Sequence, residues 1–478
     1  MSPAMGVLIA PFTAAIVLAF LPGWRLSAWL NVAAAFAAFV SAVAIAVFGA
    51  GTSGSLLAAD ALNTTFLILN TFVGFTTALF SRSYIIHEIA AGRLKARHMR
   101  YYHALYQVLL GAMNLALLTS VSGLMWVAIE IATLSTVLIV GLYRTHAALE
   151  AAWKYFILGS VGIALALFGT ILVYSAAQPV IGDGLPAMTF SQMQAHAAAL
   201  DPALLDVAFV FILLGYGTKA GLVPLHAWLP DAHAEGPTPI SAVLSGLLLN
   251  VAMYAILRFK LVMAANPGAL DAGPLLIGAG LVSVIFAALM LYKRRDIKRF
   301  FAYSSVEHMG VAAFAFGIGG PLASFAGLLH MAMHSLTKSA IFFTVGQIAH
   351  VKGSQKIADI TGLTSSHPTL GWLFVMGAAA IAGLPPFGLF TSEFLILTAC
   401  AAQHPILTAL LGLGLLTALG ALFLRINTVA FGVPEGRQEK SPMPVFPILL
   451  HFALVLAAGL FLPVAVVNWL QQVALSLG

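Results

Sequence analysis

The chain has 478 residues, 61% of them hydrophobic and 8% charged, with a formal net charge of +6 and a mean hydropathy of +1.00. A soluble domain of that composition would expose far more apolar surface than a monomer can cover, which leaves a polytopic membrane protein. The basic excess does not point to nucleic acid, because Lys and Arg fall in short loops between apolar runs, where they orient helices in a lipid bilayer.

Cys400 is the only cysteine. Internal disulfides are thereby excluded, as is a thiolate-held iron–sulfur cluster, which takes about four sulfur ligands. No Gly-rich phosphate cradle follows a strand pattern and no flavin or haem signature stands in the chain, so no cofactor is expected.

In chain order, the first apolar run, Gly6 to Leu21, lacks a basic leader and is followed by another span, so it reads as a retained helix. A window of about 20 residues finds fourteen spans, near 6–22, 27–49, 60–80, 101–119, 121–143, 153–177, 204–227, 238–258, 272–292, 299–318, 321–349, 369–399, 405–430 and 442–472. The expected fold class is all-α, a polytopic membrane bundle of about 14 transmembrane helices with short loops. If both termini face outward, seventeen of the 22 Lys and Arg, from Arg25 and Arg82 through to Arg437 and Lys440, face the cytoplasm. Only Arg258 and Lys260 then lie outside, while Lys219, Lys338 and Arg425 lie within spans. The positive-inside rule therefore predicts a multi-pass protein of a bacterial inner membrane with both termini on the outer, periplasmic side.

Five ionisable side chains, Glu130, Lys219, Glu307, Lys338 and Glu393, are placed within these spans where lipid should forbid them. A charge at the bilayer centre costs about 2.5–3.5 kcal/mol even on lenient insertion scales, so five suggest an internal polar path, and moving ions is the first functional expectation. Two spans also carry breaks. Pro224 follows Lys219 by five residues, and Pro385 and Pro386 shortly precede Glu393. Proline removes a backbone donor and frees carbonyls that need a polar neighbour. Kinks of this kind are common in membrane helices, but two broken helices, each beside a charge, point to inverted repeats with a site at each break.

The run GYGTKAGLVPLHAWLPDAHAEGPTPISAVLSG, which contains Lys219, resembles the signature of the antiporter-like proton-pumping subunits of respiratory complex I, multisubunit cation/proton antiporters and membrane-bound hydrogenases. The similarity runs from about Tyr101 to Phe431. WKYFILGSVGIALALFG, KRFFAYSSVEHMG and AGLPPFGLFTSEF lean toward the hydrogenase-4 component F type. This organisation gives N-terminal helices over 1–100, antiporter-like repeats over 101–260 and 261–431, and a C-terminal helix over 432–478.

The resemblance implies that Glu130 and Lys219 form a charged pair at a cytoplasmic-facing half-channel, that Lys338 is the lysine of the eleventh span, and that Glu393 ends the path. His330 and His334 precede Lys338 at intervals of four, which stacks all three on one helix face as a wire for protons and water. Asn250 stands where some relatives have a bridging lysine, and an amide cannot relay a proton. Glu307 and His308 are either further members of the path or a buried polar pair that ties helices together. His226 and His233 flank WLPDA in a loop, with roles in capping or proton access. His330 and His334 lack the glutamate of HExxH, so no metal is expected there.

A carboxylate beside a lysine strengthens its hold on a proton, so separating Glu130 from Lys219 would send a perturbation along the path. Proton transfer would then work against about 2.3 kcal/mol per charge for each 100 mV. The chain has no cofactor motif, and the resemblance implies that the driving energy comes from other membrane subunits of a complex carrying a hydrogenase or quinone-reducing module. On this reading the chain is a subunit of an oxidoreductase without a redox centre of its own. A cation/proton antiporter or proton-coupled uptake subunit without redox chemistry is the alternative, and an intramembrane metalloenzyme using the histidines is a third.

Overall fold

The computed structural model describes residues 2–49, 56–434 and 443–478; Arg437 and Lys440 lie outside them. Helices are the only named elements among the described residues. They are α1 (Pro3–Phe20), α2 (Trp24–Phe48), α3 (Ala61–Ala90), α4 (Ala96–Leu118), α5 (Ser122–Val140), α6 (His146–Ile181) and α7 (Pro202–Ala220). After the short helix Trp228–Glu235 come α8 (Thr238–Ala264), α9 (Gly273–Leu291), α10 (Ile297–Ile318), α11 (Gly320–Lys352), α12 (Pro368–Ile381), α13 (Gly388–Ala401), α14 (Pro405–Phe431), α15 (Phe446–Leu460) and α16 (Val464–Ser476). Nine of these described helices, α1 to α3, α5 to α9 and α14, are each long and apolar enough to cross a membrane. The chain is a polytopic membrane protein.

Local chemistry starts and stops the helices. Asp60 and Asn63 form a reciprocal capping box at the head of α3, Asp201 with Pro202 opens α7, and the Asp296 carboxylate accepts from the Arg299 amide at the start of α10. Gly221, at φ 78°, closes α7 in the left-handed conformation that glycine adopts without a Cβ clash.

Both predicted breaks are present. The seventh span leaves the helix at Ala220 and resumes only at Trp228, with Pro224 between. The twelfth divides into α12 and α13 around Gly383 and Pro385–Pro386. Each break contains a cis peptide bond before proline, Val223–Pro224 and Pro385–Pro386. The fourteenth run is not one straight helix: α15 and α16 meet at 81°. The first helix ends at Leu460, Phe461 is extended at φ −157° and ψ 115°, and Pro463, which has no backbone N–H to continue the ladder, caps the start of the second. A π-helical stretch, Leu244–Leu248, interrupts α8, whose apolar window is wholly buried.

The chain packs as two units. One comprises Met1–Ala78, Ile85–Trp228 and Leu247–Pro274, the other Leu79–Tyr84, Leu229–Gly246 and Leu275–Gly478. Inside the first, α6 and α7 approach backbone to backbone. A Cβ on Gly215 would stand 2.6 Å from the Gly162 carbonyl oxygen, and one on Gly169 2.8 Å from that of Ala208. Small residues let membrane helices approach this closely. Inside the second, Gly280 of α9 and Gly310 of α10 make the same kind of contact, each sitting where a Cβ would meet the other's carbonyl oxygen at 2.5 and 2.7 Å.

Candidate proton path

In the first unit, α7 carries Lys219 in its last turn, fully buried. Its Nζ lies 5.3 Å from the centre of the Tyr155 ring on α6, against the bare backbone of Gly159 one turn further along that helix. Tyr155 is itself fixed: its hydroxyl hydrogen-bonds Thr136 on α5 at 2.8 Å and its ring stacks on Trp228 at 4.3 Å. The Trp228 indole donates to the Thr218 carbonyl at 2.9 Å, so the chain after the break folds back and closes the turn that holds the lysine. Glu130, half-buried on α5, is within electrostatic reach of Lys219. Neither the Lys219 ammonium nor the Glu130 Oε2 has a hydrogen-bond partner among the described residues. A buried ammonium in that state requires water or a moving partner to satisfy it.

In the second unit, Lys338 of α11 is equally buried, but its Nζ donates to the Phe301 carbonyl on α10 at 2.7 Å. The same carbonyl accepts from Ser305 at 3.1 Å. Ser305 in turn meets Ser245, in the π-helical stretch, at 2.6 Å. Glu307 on α10 is within electrostatic reach of Lys338.

His330 and His334 do stack beneath Lys338 on α11, and the neighbouring helix adds a third ring. The His308 ring centre lies 5.2 Å from that of His330 and 5.4 Å from that of His334. His308 Nδ1 is 3.2 Å from His330 Nε2 and 3.8 Å from Glu393 Oε1 on α13. His330 Nδ1 bonds the Ser392 hydroxyl at 3.0 Å. Glu307 and Glu393 line one small cavity with about 20 Å³ of water-sized space, room for roughly one water. Thus Glu307, His308, His330, His334, Lys338 and Glu393 gather in one unit, and Glu130 with Lys219 in the other.

The family described as NADH:quinone oxidoreductase/Mrp antiporter, TM, matches residues 122–419. The chain belongs to that family. A hydrogenase-4 component F homolog of Methylacidiphilum infernorum is 59% identical over 474 residues, 99% of each chain. A subunit of an Na(+)/H(+) antiporter from Alkalihalophilus pseudofirmus is 29% identical over 414 residues, 86% of this chain and 80% of its own. The fold is shared with a chain of the membrane-bound sulfane sulfur reductase, an archaeal respiratory membrane complex, at TM-score 0.88 and 24% identity over 99% of this chain and 97% of that one.

In this NADH:quinone oxidoreductase/Mrp antiporter family member, sequence reasoning passed over Tyr155, Gly159, Trp228 and Ser392. Only Tyr155 and Gly159 left a trace, an i, i+4 pair that puts a ring and a gap on one face of α6. His233 is not a loop residue: it lies in the short helix Trp228–Glu235, fully buried, with its ring stacked on Phe342 at 4.8 Å. Lys298, counted from sequence as a loop charge, is buried and donates to the carbonyls of Ala234 and Gly236 at 3.1 and 2.7 Å. Arg299 pairs with Asp231 at 3.1 Å on the same short helix.

Proposed function

We propose that this family member is the proton-translocating membrane subunit of a redox-driven complex of the hydrogenase-4 or NADH:quinone oxidoreductase kind. The observation that carries the reading is that each unit holds a fully buried lysine within electrostatic reach of a glutamate, Lys219 with Glu130 and Lys338 with Glu307. Buried charges inside a membrane protein mark ion pathways, and a lysine whose partner carboxylate gains or loses charge changes its own proton affinity. Protons would pass from the Glu130–Lys219 pair to Lys338 with its histidines and on to Glu393.

We read 101–260 and 261–431 as two antiporter-like repeats, between N-terminal helices over 1–100 and a C-terminal segment over 432–478. The chain lies in a bacterial inner membrane with both termini outside, in keeping with its basic loops. It works beside other membrane subunits and draws its energy from a hydrogenase or quinone-reducing module, with no redox centre of its own. The antiporter relative at 29% identity supports a second reading, cation/proton exchange without redox chemistry. Reconstituting the whole complex in sealed vesicles separates the two. Proton uptake driven by the redox substrate, and unchanged when Na+ is omitted, supports the first; uptake driven only by an imposed Na+ gradient refutes it in favour of the second.

A further inference from the structure

Three side chains of this cluster face one another in a way that a proton route alone does not require. One ligand atom from each of His308, His330 and Glu393 lies within 4.8 Å of the others. The Ser392 hydroxyl donates to the Leu389 carbonyl at 2.8 Å, so its oxygen accepts from His330 Nδ1–H. That bond fixes the His330 tautomer and leaves the Nε2 lone pair facing His308 Nδ1. In the contact between the two rings the proton is then carried by His308 Nδ1. Moved to Nε2, the other nitrogen of the same ring, it leaves two imidazole lone pairs and a carboxylate converging on one point.

We propose that His308 Nδ1, His330 Nε2 and the Glu393 carboxylate bind a divalent transition-metal ion, Zn2+ best of all, and that the bound ion plugs the path at its Glu393 end. The plug rests on the proton-path reading; the binding does not. Zn2+ bonds nitrogen and oxygen at about 2.0–2.2 Å in tetrahedral geometry, which sets neighbouring ligand atoms roughly 3.3–3.5 Å apart. The observed separations from His308 Nδ1, 3.2 Å to His330 and 3.8 Å to Glu393, straddle that value. Two imidazoles with one carboxylate leave the fourth position for water, and the small cavity lined by Glu393 has room for about one. Mg2+ and Ca2+ prefer all-oxygen shells and fit this donor set poorly. On binding, His308 shifts its single ring proton from Nδ1 to Nε2, His330 keeps its own on Nδ1, and Glu393 binds as the carboxylate.

The test uses the intact complex, purified and titrated with ZnCl2 against a chelating dye, with X-ray absorption at the zinc edge. One zinc per chain is expected at this site, in a shell of two imidazoles plus oxygen. His330→Gln should abolish it, and Ser392→Ala, which frees the His330 ring, should weaken it about 10–100-fold. In vesicles, ZnCl2 should block proton uptake reversibly on chelation, with the half-blocking concentration raised by Ser392→Ala by the same factor. Zinc held equally well by His330→Gln, or in a shell without imidazole, is an adventitious ion only and overturns the site. Absence of bound zinc overturns the site and leaves the path reading standing. Zinc bound in the expected shell with uptake untouched overturns the plug and tells against a proton route through this cluster.

Discussion

A methyl group on Gly159 would stand 2.7 Å from the Nζ of Lys219. The ammonium thus occupies the volume that any side chain at position 159 would need. Gly159→Ala is expected to push the Lys219 head away from its seat beside Tyr155, at an overpacking cost of about 1–3 kcal/mol. Proton uptake should fall several-fold while the complex still assembles. Gly278→Ala is the control, because an added Cβ there meets nothing within 4 Å. Equal uptake in the two variants would show that the position of Lys219 does not matter.

If Glu130 and Lys219 act as a unit, Glu130→Gln lowers uptake substantially, and adding it to Lys219→Ala changes little further. Residues in one electrostatic network are non-additive, commonly by about 0.5–3 kcal/mol. Initial rates of vesicle acidification for the two single variants and the double variant decide this. Fully additive losses would separate the two residues.

Lys298 offers a test of a different kind. Because its ammonium satisfies the Ala234 and Gly236 carbonyls that end the short helix after the break, Lys298→Met should leave them bare. Buried unsatisfied groups cost about 1–3 kcal/mol each. Thermal unfolding of the purified complex should move clearly downward in Lys298→Met. Were Lys298 only an orienting charge, Lys298→Met would leave the unfolding temperature unchanged.

The parts of this molecule that were legible in sequence are those where one residue violates its surroundings. Lys219, Lys338, Glu130, Glu307 and Glu393 stand out because lipid penalises charge, and both helix breaks announce themselves through Pro224 and Pro385–Pro386. The stacking of His330, His334 and Lys338 followed from helical spacing alone. What sequence could not give is contact between helices. The wedging of His308 between His330 and His334, and the Trp228 indole closing the turn of Lys219, join residues that are far apart or separated by a break. Lys298 misled because a charge count cannot tell a solvated loop lysine from one folded back onto carbonyls. The 81° bend before α16 was likewise hidden, since hydropathy ran on through Pro463.

The central claim is that protons cross through the buried lysines, and Lys219→Ala addresses it most directly. An alanine fits readily where an ion was costly to bury, so the complex should assemble with its redox activity measurable in detergent. Inverted membrane vesicles containing the whole complex, energised by the redox substrate and followed with a pH-sensitive dye, are predicted to show no proton uptake in this variant. Uptake at the wild-type rate, from vesicles holding the normal amount of assembled complex, would contradict the account.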